Sequence, residues 1–209
     1  MEDLPFETIR LAAADVQALE NTYNALRAKF HVSLPCDLKL NLNDFDLFNN
    51  DTTLNLAGVL SVPNPANNCY LAFIRSHIYY DPHGRHAGEI IDNYRYKVWG
   101  FINSKKDYGR VLIRRETFAD RIVGLIHPVE LEFKDDKPFD EKYYVVTNDA
   151  NKALLAMTWN FRNAIMDIKD KDMVIEITGK TLVIGNNYWL DHEQAIALTE
   201  MSLKLASFC

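Results

Sequence analysis

The densest group of chemistry-bearing side chains is His77-Ile78-Tyr79-Tyr80-Asp81-Pro82-His83-Gly84-Arg85-His86. Asp81, His83 and His86 fall close together, and His77 stands near the end of an aromatic, β-branched run. Imidazole nitrogens and a carboxylate oxygen at this spacing are ligands for a divalent metal. Such a site would make the chain a metal-dependent hydrolase. The competing reading is a turn at the tip of a hairpin. Asp81 and Pro82 would start it, Gly84 would end it, and the histidines would face water. Catalytic zinc sites usually draw one ligand from a distant element, and the sequence singles out none. The turn is the simpler account.

Other chemistry is harder to find. His192-Glu193 resembles the start of a zincin helix, but the second histidine would fall at Ile196. No serine lies in a Gly-x-Ser-x-Gly elbow. Cys36 follows Pro35 and Cys69 opens a strand-like run. Both read as packing thiols rather than nucleophiles. Neither glycine-rich phosphate signature occurs, and no cofactor is called for.

The middle of the chain is locally basic and aromatic. Arg95, Lys97, Lys105, Lys106, Arg110, Arg114, Arg115 and Arg121 interleave with Tyr94, Tyr96, Trp99, Phe101 and Tyr108. Cations and rings that alternate on a sheet can stack bases, so Arg95, Lys97, Trp99 and Arg114 are candidate ligand-binding residues. The ordinary alternative is an amphipathic sheet whose aromatic face is core. The acidic stretch 130–141 follows and would neutralise the patch. Tyr188-Trp189 precede the last helix, either stapled onto it or exposed as anchors for a partner. Stapling is the commoner arrangement.

The elements that would position these residues follow from periodicity. Ile9, Ala13, Val16, Leu19, Tyr23, Leu26 and Phe30 recur every three or four residues, which predicts a helix with one apolar stripe. The rest of the chain, or a second copy, must cover that stripe. Leu38, Leu40 and Leu42 alternate with polar residues and predict a short strand. Gly58–Val62 is a second candidate strand in an otherwise asparagine-rich stretch. Strands are expected over 70–80, 94–102, 110–115, 129–133 and 142–147, with sequential neighbours pairing antiparallel. Residues 117–126 space Phe118, Ile122 and Leu125 as a helix. Asp149 and Thr158 are expected to cap short helices, the second carrying Phe161, Ile165 and Ile168. Strands over 173–178 and 181–185 flank a Gly179-Lys180 turn. A last helix begins at Asp191, with Gln194 at capping-box spacing.

Composition bounds the rest. The chain has 209 residues, 48% hydrophobic and 25% charged, as in an ordinary globular protein. Its net charge of -6 disfavours nucleic acid, which needs a basic field. No apolar run approaches the roughly 20 residues a bilayer core requires, so no membrane insertion is expected. The opening MEDLPFETIR lacks the apolar block of a secretory signal. Three cysteines, Cys36, Cys69 and Cys209, read as free thiols in a reducing cytoplasm. The sequon Asn50-Asp51-Thr52 is then idle.

From Arg110 onward a more specific pattern appears. Leu112-Ile113-Arg114-Arg115-Glu116 is followed by Asp120-Arg121-Ile122-Val123-Gly124 and by Val129-Glu130-Leu131-Glu132-Phe133. Then come Phe139-Asp140-Glu141-Lys142-Tyr143-Tyr144-Val145-Val146, Asn148-Asp149-Ala150 and Ala153-Leu154-Leu155. This C-terminal half resembles uncharacterised bacterial proteins related to domain of unknown function 3137. The motif residues look structural, so the resemblance bears on architecture and implies no catalytic residue. Many such relatives carry transmembrane helices ahead of the module, and none is expected here.

The expected fold is α+β, a mainly antiparallel β-sheet packed by N-terminal and C-terminal helices. It is read as a single domain over 1–209, with a subdivision into 1–110 and 111–209 as the alternative. The expected role is a non-catalytic cytoplasmic module that binds a protein partner or a copy of itself. Two readings stand beside it: the hydrolase using Asp81, His83 and His86, and a nucleotide or single-stranded nucleic-acid binder on the basic-aromatic sheet.

Overall fold

A computed structural model describes residues 4–35, 38, 40–49, 53–78, 93–115 and 128–209. Among the described residues, eight antiparallel strands make one sheet. They are β1 (Asn55–Val62), β2 (Cys69–Ile78), β3 (Asn93–Asn103), β4 (Arg110–Arg115), β5 (Val129–Glu130), β6 (Tyr143–Thr147), β7 (Val174–Thr178) and β8 (Thr181–Gly185). The spatial order is β1-β2-β3-β8-β7-β4-β6-β5. Helices are α1 (Ala13–Lys29), α2 (Asp46–Asn49), α3 (Lys137–Asp140), α4 (Ala150–Ala156), α5 (Trp159–Met166) and α6 (His192–Ala206). The architecture is α+β with an N-terminal and a C-terminal helix, as expected.

Alternation along the strands builds two cores. Leu71, Phe73, Tyr96, Val98, Ile102, Val111, Ile113, Ile175, Ile177, Leu182 and Ile184 face a large core closed by α1, α5 and α6. Ala72, Ile74, Trp99, Phe101 and Val183 point to the other face, where Phe45 and Phe48 cover them. The α1 stripe is mostly used in the large core: Leu19 and Leu26 are fully buried, while Val16, Tyr23 and Phe30 are half-buried. Ala13, at the helix start, is exposed, and the larger exception is Ile9. It stays exposed, because the chain turns at Thr8–Arg10, where Arg10 has φ 62°, before the helix begins.

Three expectations change. Of the strand expected at 38–42, the described residues 38 and 40–42 form none, and Leu42–Asp44 is a 3-10 turn. The Asn41 side chain accepts a hydrogen bond from Asn43 N and donates to Asp44, which is the local bonding that draws asparagine into turns. The strand expected at 129–133 shrinks to two residues. The third change is topological. Sequential β3 and β4 do not pair; the β7–β8 hairpin inserts between them. The 104–109 loop passes over the hairpin tip, with Ser104 N donating to Lys180 O at 2.7 Å and Tyr108 N to Gly179 O at 2.9 Å. Gly179 N donates back to Gly109 O at 2.7 Å, and both glycines take positive φ, 59° and 70°. The helix expected at 117–126 lies outside the described residues.

Caps are partly as expected. Asp149 accepts from Lys152 N at 3.1 Å, and Asp191 from Glu193 N at 2.9 Å and Gln194 N at 3.1 Å. Thr158 makes no side-chain cap. Helix α6 packs tightly on β3. A Cβ at Gly100 would collide with Ser202 Oγ, and Ser202 itself has no hydrogen-bond partner among the described residues.

Candidate functional site

The residues singled out in the sequence do not gather into one place. Asp81, His83 and His86 lie outside the described residues. His77, on β2, packs its ring on Tyr94, 4.7 Å between centroids. Among the described residues no three of His, Cys, Asp and Glu are grouped to hold a metal ion.

Arg95, Lys97 and Trp99 share one face of β3, but their environments differ. Trp99 is buried in the second core, edge-on to Phe48 at 5.1 Å and pressed on Gly185, its cross-strand partner. It is not displayed as a stacking surface. The Arg95 guanidinium and the Lys97 ammonium instead lie over the Trp189 ring, at 5.4 and 5.1 Å. Lys97 also reaches Asn187 Oδ1 at 3.4 Å, and Arg95 reaches Asp15 at 3.7 Å. Arg114 is three strands away on β4, over the Tyr144 ring at 5.2 Å. The sheet therefore divides this set between separate surroundings.

The buried charges among the described residues serve the scaffold. Glu176, at the middle of β7, accepts from Asp46 N and Leu47 N at 2.9 Å each and ties the α2 segment to the sheet. Burial pushes its carboxyl above the usual carboxylate range, against the pull of those backbone donors. Arg162, on α5, is held by Asp136 at 2.8 Å and Asp135 at 2.7 Å, and donates to Met157 O at 3.0 Å. Cys69 and Cys209 are also inward groups, while Cys36 lies outside the described residues. Burial raises Cys69 to about 12 and Cys209 to about 11, far from a nucleophile's range.

Among the described residues, two surfaces stand out as able to engage another molecule. The first is the corner where α4 meets α5. Here Leu154 is 46% exposed, Leu155 81% and Trp159 61%. Beneath them Ala153, Ala156, Met157 and Phe161 are buried, and only Met157 and Thr158 separate the two helices. The small alanines give α4 its inward face, so its leucines turn out. The sequence reading missed this corner. Its signal was present in α5: Trp159 stands two residues from Phe161, about 200° around the helix from the Phe161–Ile165 stripe.

The second surface is a cleft of about 570 Å³ against α6. Val98, Ile168 and Leu198 form its floor and Met173 and Met201 its sides. Tyr188 and Trp189 stand at its mouth, both exposed. The Tyr188-Trp189 pair is thus not stapled out of solvent. Leu190, whose N donates to Tyr96 O at 2.8 Å, is the residue that anchors this loop.

No helix among the described residues is long and apolar enough to cross a membrane. No family model matches the chain, and no curated protein matches it. A solved structure does: the crystal structure of the mycobacterial trehalose monomycolate transport factor A is similar over 91% of this chain and 93% of that one, with TM-score 0.55 and 8% sequence identity. At that identity the likeness is one of fold.

Proposed function

We propose that the chain is a non-catalytic protein-binding module and that the α4–α5 corner is its contact surface. The observation that carries the reading is the joint exposure of Leu154, Leu155 and Trp159 within six positions. Bunched large apolar side chains on a surface mark interaction sites, and tryptophan is among the residues that dominate binding energy. The partner is a polypeptide with an apolar groove that receives these side chains. A symmetric pair of corners is the poorer fit, because three residues a side fall well short of the ~1,200 Å² that stable interfaces bury. The scaffold roles of Glu176 and Arg162 and the neutral thiols support a role by contact rather than chemistry. The free Cys69 and Cys209 support a reducing, cytoplasmic setting. Kinship with relatives of domain of unknown function 3137 remains our proposal on the motifs quoted above.

The test is hydrodynamic. In extracts of cells that produce it, the 24.1 kDa chain is sized by gel filtration beside a Leu155→Ser, Trp159→Ser variant of unchanged circular dichroism. The reading expects wild type above its own mass and the variant at it. Wild type migrating as a free monomer, or the variant migrating with wild type, contradicts the reading.

A further inference from the structure

The cleft against α6 has the size of a small-molecule site, which typically runs from roughly 300 to 1,000 Å³. Its depth is apolar, and the two methionines give it walls that adjust to a guest. Most of the charged groups at its edge are already engaged. Asp167 pairs with Lys204, and Glu200 with Lys29 at 2.6 Å. Asp191 is spent on the α6 cap, and Asp170 accepts from Asn186 Nδ2 and from Asp172 N. Lys169 beside Asp170 adds one charge of each sign. In the apolar depth of the cleft, away from these edge groups, a charged guest would give up its hydration without compensation, whereas an apolar neutral guest gives up only unfavourable contact with water.

We propose that this cleft binds an uncharged, largely apolar small molecule, seated on Val98, Ile168, Leu198 and Met201 beside Trp189. The inference is independent of the α4–α5 corner. Ala197 lines the same cleft from an exposed position on α6, so a larger side chain there fills the space without removing any packed group.

The purified full chain is titrated with the neutral fluorescent probe N-phenylnaphthylamine, then competed with decanol, decanoate and decylammonium. The expected result is one probe per chain, with a blue shift of Trp189 emission that is absent in Trp189→Phe. Ala197→Phe should weaken the probe by at least roughly tenfold, and decanol should compete better than either charged chain by a similar factor. The corner variant Leu155→Ser, Trp159→Ser should bind like wild type. The proposal is overturned if wild type does not bind the probe, or if Ala197→Phe binds it equally. It is also overturned if a charged chain competes as well as decanol, or if the corner variant loses the probe.

Discussion

Replacing Arg162 with methionine tests whether the α4–α5 corner is held from below as described. The Arg162 side chain is buried and makes three polar contacts. Nε meets Asp136 Oδ2 at 2.8 Å, Nη2 meets Asp135 Oδ2 at 2.7 Å, and Nη1 donates to Met157 O at 3.0 Å. The guanidinium also lies over Phe133 at 4.8 Å. Asp135 is exposed, so that arm is worth about 0–1 kcal/mol. Asp136 is buried, and removing its partner strands a carboxylate out of water at a cost of about 3–5 kcal/mol. The Met157 carbonyl, at the turn between the two helices, loses a charged donor as well. Arg162→Met should therefore cost about 3–5 kcal/mol and Asp135→Ala under about 1 kcal/mol in urea unfolding followed by circular dichroism. Adding Asp136→Asn to Arg162→Met should recover a large part of the loss, because the stranded charge goes with it. An Arg162→Met loss no larger than that of Asp135→Ala would refute this reasoning.

Further outcomes follow from the same structure. Gly100→Val should drive α6 off β3 at a cost of about 1–3 kcal/mol, and Ser202→Gly in the same chain should return part of it; calorimetry reads both. Ser202→Ala should raise stability by up to about 1 kcal/mol, since the hydroxyl it deletes is buried without a partner. Burial raises the folded pKa of Cys69, Tyr96 and Cys209 above their unfolded values. The folded state then holds protons the unfolded state releases. This contribution is full below about pH 9 and is lost as pH rises toward about 12, by at most ~1.4 kcal/mol per unit for each group. Urea midpoints that rise between pH 9 and 11 would contradict it. Cys69 should resist alkylation at pH 8 until the chain unfolds, as mass spectrometry of iodoacetamide adducts would show.

Residues with one strong local preference were legible in the sequence. Asp149, Asp191 and Gly179 announced two caps and a turn, and the alternation in 110–115 and 174–185 announced strands. What stayed hidden was non-local. Nothing in 104–109 says that the next strand lands beyond a hairpin formed some seventy residues later. That choice is made by the backbone bonds over Gly179 and Lys180. The leucines at 38, 40 and 42 alternate like a strand, but Asn41 bonds its own neighbours and makes a turn instead. The candidate sites were least legible. Trp99 fits a stacking aromatic or a core face by sequence alone, and it is core, where Gly185 leaves room for its ring. Leu154 and Leu155 stand in the sequence only as motif residues and are exposed, because the alanines beside them pack closer. The cleft draws on β3, α6 and two loops, a grouping that only the tertiary fold creates.

Photo-crosslinking from the α4–α5 corner in living cells asks directly whether Leu155 meets another polypeptide. A photoreactive residue is placed at position 155, with position 180 at the exposed hairpin tip as control. The account predicts one dominant covalent adduct with another polypeptide from position 155, lost when Trp159→Ser is added and absent from position 180. The same adduct from both positions, or none from position 155, would contradict it.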